Sequence, residues 1–142
     1  MNPIVSKSKD FAVRIIRLYQ YLQEEKQEMI LSKQILRSGT SIGANVREGT
    51  QAASRPDFIN KLTIALKESV ETEYWLELLA ETDYISQQQF HSLYSDNKEL
   101  TKLLTAIIKT TKTIDNCQLS IVNSLLMAFL PFVPTIKFRT IR

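Results

Sequence analysis

Three glycines, four prolines, one cysteine and one histidine are all that this 142-residue chain holds of the residues that mark turns, metal sites and catalysis. Each scarcity excludes something. So few turn-formers cannot punctuate a multi-stranded β protein, and the chain should run in a few long helices. A lone Cys117 forbids an internal disulfide and any cysteine-based metal site. A lone His91 rules out paired-histidine zinc sites and a di-iron site built from Glu-x-x-His on two helices. Gly39, Gly43 and Gly49 neither follow a strand nor match the spacing of a phosphate-cradling loop. A Ser–His hydrolase would have to use His91, which sits beside Phe90 and Leu93 and reads as a helix edge. Cys117 has no activating neighbour. The expectation is a protein that is not an enzyme and has no cofactor, metal or small-molecule substrate.

Long apolar runs are missing too. Ile121 to Val133 is largely apolar, but Asn123, Ser124 and Pro131 interrupt it and it is too short to span a membrane. The first residues lack a stretch of signal-peptide length, so a cytoplasmic address without membrane contact is expected. What remains is 44% hydrophobic and 23% charged, the balance of one globular domain. A chain of this length buries enough surface to need no staple.

Apolar residues recur at helical spacing four times. The first helix should run from about Ser8 to Glu25, capped by Ser6 or Ser8, with Phe11, Ile15, Leu18 and Leu22 inward. Ala12, Ile16 and Tyr19 widen that stripe beyond what an isolated bundle needs. The second should span Ser32 to Ala52, with Gly39 and Gly43 marking a kink or the close approach of another backbone. The third starts at Ser54-Arg55-Pro56-Asp57, a capping serine before a first-turn proline. Its inward stripe is Phe58, Leu62, Ala65, Ser69, Thr72, Leu76 and Ala80, and its apolar arc is again broad. The fourth starts after Ser86, capped with Gln89, and should end near Lys112. Four amphipathic helices on short connections predict an all-α fold, an antiparallel up-down-up-down four-helix bundle over residues 1–112. Residues 113–142 read as an irregular apolar and basic tail, disordered or packed on a partner.

Charge is distributed unevenly around a net of +3. Residues 1–56 carry nine Lys/Arg against five Asp/Glu, residues 57–85 two against seven, and residues 86–142 seven against three. Such asymmetry serves either attraction between packed helices and subunits or a basic surface for nucleic acid. Lys33, Arg37 and Arg47 share the outer side of the second helix, and Arg14 and Arg17 the outer side of the first. These five are the candidate nucleic-acid contacts, although no aromatics interleave with them. Ser41, Asn45 and Glu48 form a structural polar stripe. Glu73 falls inside an apolar arc and calls for a serine, threonine or arginine partner from the second helix.

The stretch Leu36-Arg37-Ser38-Gly39-Thr40-Ser41-Ile42-Gly43-Ala44-Asn45-Val46-Arg47-Glu48-Gly49 resembles the signature of four-helix bundle proteins encoded in 23S ribosomal RNA intervening sequences. So do Ser54 to Phe58, Ile64 to Ser69 and Glu71 to Leu79. The resemblance covers about residues 8–112. It implies a bundle that assembles into a five-fold ring and binds RNA or another nucleic acid. A related branch serves reverse transcriptases of diversity-generating retroelements. The expected function is a non-enzymatic homo-oligomer, a pentamer, that holds RNA or DNA on a basic surface. The alternative is a protein-interaction scaffold without nucleic-acid contact.

Overall fold

Asn2 and Pro3 begin the first helix. In a computed structural model that describes residues 2–129, the Asn2 side chain accepts a hydrogen bond from the Ile4 N–H at 3.3 Å and Pro3 occupies the first turn. That position tolerates proline because first-turn amides have no intrahelical partner. Helix α1 therefore runs Pro3–Glu24, a turn and a half longer than the serine-capped start expected. Ser6 and Ser8 lie inside it, donating to the carbonyls of Pro3 and Val5 at 3.1 and 3.2 Å. Phe11, Ile15, Leu18 and Leu22 are buried as the spacing predicts.

Helix α2 (Leu31–Gly49) is capped from a distance. The Glu28 carboxylate accepts from the N–H groups of Ile30, Leu31 and Ser32 at 3.0, 2.8 and 2.6 Å. Burial pushes this carboxyl up, but the donors of Leu31, Ser32 and Ile30 outweigh it and hold it below the ordinary range. Gly39 and Gly43 then let α1 close in. A Cβ at Gly43 would stand 3.2 Å from the Ser8 carbonyl oxygen, and one at Gly39 would stand 2.7 Å from an Ile15 methylene. Close approach, not a kink, is their reason. The helix stops at Gly49, and Thr50 to Ala52 form a turn instead of the last turn of helix expected there.

Helix α3 (Arg55–Glu81) opens as its capping serine predicts, with Ser54 Oγ accepting from the Asp57 N–H at 3.3 Å. A reciprocal cap between Ser86 and Gln89, at 2.8 and 3.2 Å, starts α4 (Gln87–Phe129). Each helix packs on its neighbours in the order α1, α2, α3, α4 and back to α1, with no close backbone approach across either diagonal among the described residues. The antiparallel sense shows in Ser38–Thr72 with Glu48–Lys61 between α2 and α3, and in Ser69–Thr101 with Glu73–Lys98 between α3 and α4. The fold is the four-helix bundle that the periodicity predicts.

Its core is Phe11, Ile15, Leu22, Ile35, Ile42, Leu62, Leu76, Leu79, Leu100 and Leu104, all almost fully buried. A polar seam crosses it. Thr72 donates to Ser38 at 2.9 Å, and Asn97 Nδ2 donates to the Ser69 carbonyl at 2.8 Å. These bonds fix which faces of α2, α3 and α4 meet, although the buried Asn97 Oδ1 has no hydrogen-bond partner among the described residues.

The expected end of α4 near Lys112 needs correction. The helix continues to Phe129, so residues 113–129 are helical and not irregular. The composition of this stretch changes without a helix-breaking residue, since the first proline after the start of α4 is Pro131. The last part of the expected tail, residues 130–142, lies outside the described residues.

Candidate nucleic-acid interface

The five candidate cations do not form one patch. Arg14 and Arg17 face the seam between α1 and α4, and Arg14 is not an outward charge. Its guanidinium pairs with Asp96 and donates to the carbonyl and hydroxyl oxygens of Ser92 at 3.3 and 2.7 Å. Together with Tyr21, Leu18, Gln88 and Gln89, the two arginines line a cleft of about 480 Å³. Tyr21 follows Arg14 by seven residues and Arg17 by four, the spacing of one helix face. An aromatic therefore does sit among these cations, and the spacing alone could have found it.

Arg37 is engaged within its own chain. It pairs with Glu71 and stands 3.6 Å from Glu68, whose buried Oε2 has no hydrogen-bond partner. The hydrogen bond from Arg37, helped by the Trp75 indole N–H at 3.1 Å, holds the Glu71 carboxyl below the ordinary range. Attraction between the basic second helix and the acidic third operates inside the subunit at this point.

Arg47 and Lys33 are exposed on the outer side of α2, as expected, and carry no ion pair among the described residues. Arg47 shares a groove of about 240 Å³ with Lys9, Val5, Ala12, Thr40, Gly43 and Ala44. Gly43 sets the depth of that groove by admitting α1. Two cations and no carboxylate line it. Lys9 was not among the sequence candidates, because only the antiparallel register of α1 and α2 brings it beside Arg47. Lys102, Lys109 and Lys112 are likewise exposed on α4 without an ion pair among the described residues.

The structural polar set is placed more simply. Asn45 donates to the Ser41 carbonyl and hydroxyl at 2.9 and 3.1 Å, and Glu48 pairs with Lys61 at 2.5 Å. Glu73 finds its partners on α4, not on the second helix as expected: Lys98 at 2.6 Å and the Tyr94 hydroxyl at 3.2 Å. Its position in the arc turns toward the α3–α4 seam, a direction that one helix's periodicity does not fix. Among the described residues no group of His, Cys, Asp or Glu converges as a metal site, and no helix is long and apolar enough to cross a membrane.

A short antiparallel bundle with ion pairs across the α1–α4, α2–α3 and α3–α4 seams, and with Lys9 and Arg47 without an ion pair among the described residues in the α1–α2 groove, defines a class of small all-helical proteins. The chain belongs to the 23S rRNA-intervening sequence protein family, whose profile matches residues 2–106. A crystal structure similar to it is that of a protein of unknown function from the S23 ribosomal protein family of Bacteroides thetaiotaomicron VPI-5482. The two share 61% identity and a TM-score of 0.76, over 76% of this chain and 96% of the other. No curated protein matches the sequence.

Proposed function

We propose that this protein is a non-enzymatic homo-oligomer that holds the phosphate backbone of RNA or DNA on the basic surface of α1 and α2. The observation that carries the reading is the groove between those helices. Lys9 and Arg47 stand on its walls with no carboxylate among the lining residues. Elsewhere, Arg14 and Arg37 are already neutralised by Asp96, Glu68 and Glu71. Lys33 is a further exposed cation of α2 without an ion pair among the described residues, and Arg17 adds one on the α1–α4 side. Phosphate contacts need cations not already held by carboxylates, since it is the neutralised phosphates that release their condensed counterions.

Assembly is supported by apolar side chains left on outer faces. Val13 and Ile16 of α1 are 40% and 42% exposed, and Val70 and Tyr74 of α3 are 57% and 53% exposed. A ring, the pentamer implied by the family resemblance, would bury them and repeat the Lys9–Arg47 groove around its axis. Light scattering on a sizing column measures this, and a mass of 16.3 kDa across micromolar concentrations would exclude it.

Fluorescence anisotropy with labelled RNA and DNA, as a salt titration, tests the binding. Wild-type protein should bind at low salt without marked sequence preference and weaken steeply as salt rises. The double variant Lys9→Glu, Arg47→Glu should lose most of the affinity while keeping its mass and melting curve. An Arg37→Glu change should instead perturb stability, because it would set a carboxylate against Glu68 and Glu71. Absence of binding at low salt would leave a protein-interaction scaffold as the remaining reading.

A further inference from the structure

The side of α4 that packs against α1 continues past the point where α1 begins. Lys7 meets Glu99 and Arg14 meets Asp96, so the antiparallel register sets Pro3 about one turn beyond Glu99. Leu103 and Ile107 on this side are partly buried against the core. Ile114, Ile121 and Leu125 carry the same stripe onward at 44%, 55% and 53% exposure, with nothing from the described residues over them. Ile107, Ile114 and Ile121 recur every seven residues, the repeat that lets two helices keep one seam between them.

From this stripe we infer that the distal half of α4 pairs with the same segment of a second copy, antiparallel, about a two-fold axis near Cys117. Three observations select that occupant. Between Thr113 and Leu125 the only charged residue is Asp115, so like segments do not repel and an ionic partner has nothing to grip. The seven-residue repeat is self-complementary, which a two-fold contact requires. And Arg55, the first residue of α3, lies beside Gln118 at 3.2 Å, so α4 projects about eleven residues further than α3 and stands clear of its own bundle there. The antiparallel sense follows from the direction of the stripe. It looks toward the α1 side, where a parallel partner would drive one bundle into the other. Reversed, the bundles sit at opposite ends of a contact that runs from Thr110 to Leu125, about 24 Å long. Ile114 then faces Ile121 of the partner subunit.

Cys117, exposed and the only cysteine, lies midway between Ile114 and Ile121 and reports the contact directly. Full-length protein treated with a short bis-maleimide, matched to the about 8–10 Å between packed helix axes, should give a species of twice the 16.3 kDa chain mass on a denaturing gel. The yield should fall on dilution. The variant Ile114→Asp, Ile121→Asp should lose at least nine-tenths of it while its bundle melts as wild type. Cross-linking that survives those two changes, or no doubled species from full-length protein, overturns the inference. A chain ending at Thr113 lacks both the stripe and the thiol. Any mass above monomer that it retains belongs to the outer faces of α1 and α3, so the ring and the α4 pairing are judged separately.

Discussion

Helix α4 is two helices in physical terms. Up to Ile108 it behaves as a bundle helix: Leu93, Asn97, Leu100, Leu104 and Ile108 are buried at the spacing of one face. Beyond Ile108 no described side chain is buried; Leu119, Ile121, Val122 and Leu125 stand more than half in solvent, and Ile114 is 44% exposed. The family profile stops at residue 106, almost the same place. Most of a helix's stability comes from packing an apolar face, and an isolated segment of this length is marginal in water. The comparison teaches that helical continuity and domain membership are separate properties. The same backbone geometry is held by core packing in one half and stands without buried side chains in the other among the described residues.

Truncating a leucine in each half should give the largest contrast. Leu104→Ala opens a cavity in a fully buried site, where such changes cost about 2–5 kcal/mol. Leu125→Ala, on a side chain 53% exposed, should change stability by less than about 0.5 kcal/mol. Urea melts followed by helicity measure both. Equal losses would mean that the distal half is part of the folding unit. A smaller effect is expected at Gly43. A leucine there would push against the Ser8 backbone, which cannot rotate away as a side chain can, and overpacking of this kind costs about 1–3 kcal/mol. A neutral Gly43→Leu would show that α1 and α2 can separate without loss.

The sequence legibly encodes what a single helix face can record. The buried stripes, the Ser54 cap, the Ser86–Gln89 cap and the small residues of α2 all depend on spacing within one segment. What escaped it depends on register between segments. Lys9 reaches Arg47 only because Gly43 meets Ser8, Glu73 finds Lys98 only across the α3–α4 seam, and Arg14 is neutralised by Asp96, 82 positions away. The end of α4 escapes the sequence for a different reason. A change from amphipathic to broadly apolar composition marks where the helix leaves the bundle core, not where the helical backbone ends.

Glu28 is another device invisible to periodicity, and it should matter less than the core positions. Its carboxylate satisfies three amides at the start of α2, the work of a helix cap, whose loss costs about 0.5–2 kcal/mol. Because its folded pKa lies below the ordinary value, the stabilisation is complete above about pH 4.5 and is lost as pH falls through the folded value. Glu28→Gln should therefore be less stable than wild type at pH 7, and the gap should narrow as both are acidified below pH 4.5. A gap that stays constant with pH would show that the charge contributes nothing beyond the acceptor oxygen.

The smallest effect on folding should come from the largest deletion. A chain ending at Thr113 loses the distal part of α4 but none of the buried side chains, since the last of them is Ile108. Of the contacts that tie the distal part to the bundle, the Arg55–Gln118 hydrogen bond at 3.2 Å is exposed, and exposed contacts contribute little. The truncated protein should keep a cooperative melt within about 0.5 kcal/mol of full length. Its helical signal per chain should fall by the share that residues 114–129 contribute. It should also be more soluble, because it sheds a contiguous apolar patch of the kind that drives association. Loss of soluble folded protein on truncation would place the distal helix inside the folding unit, and the boundary drawn by burial at Ile108 would then be wrong.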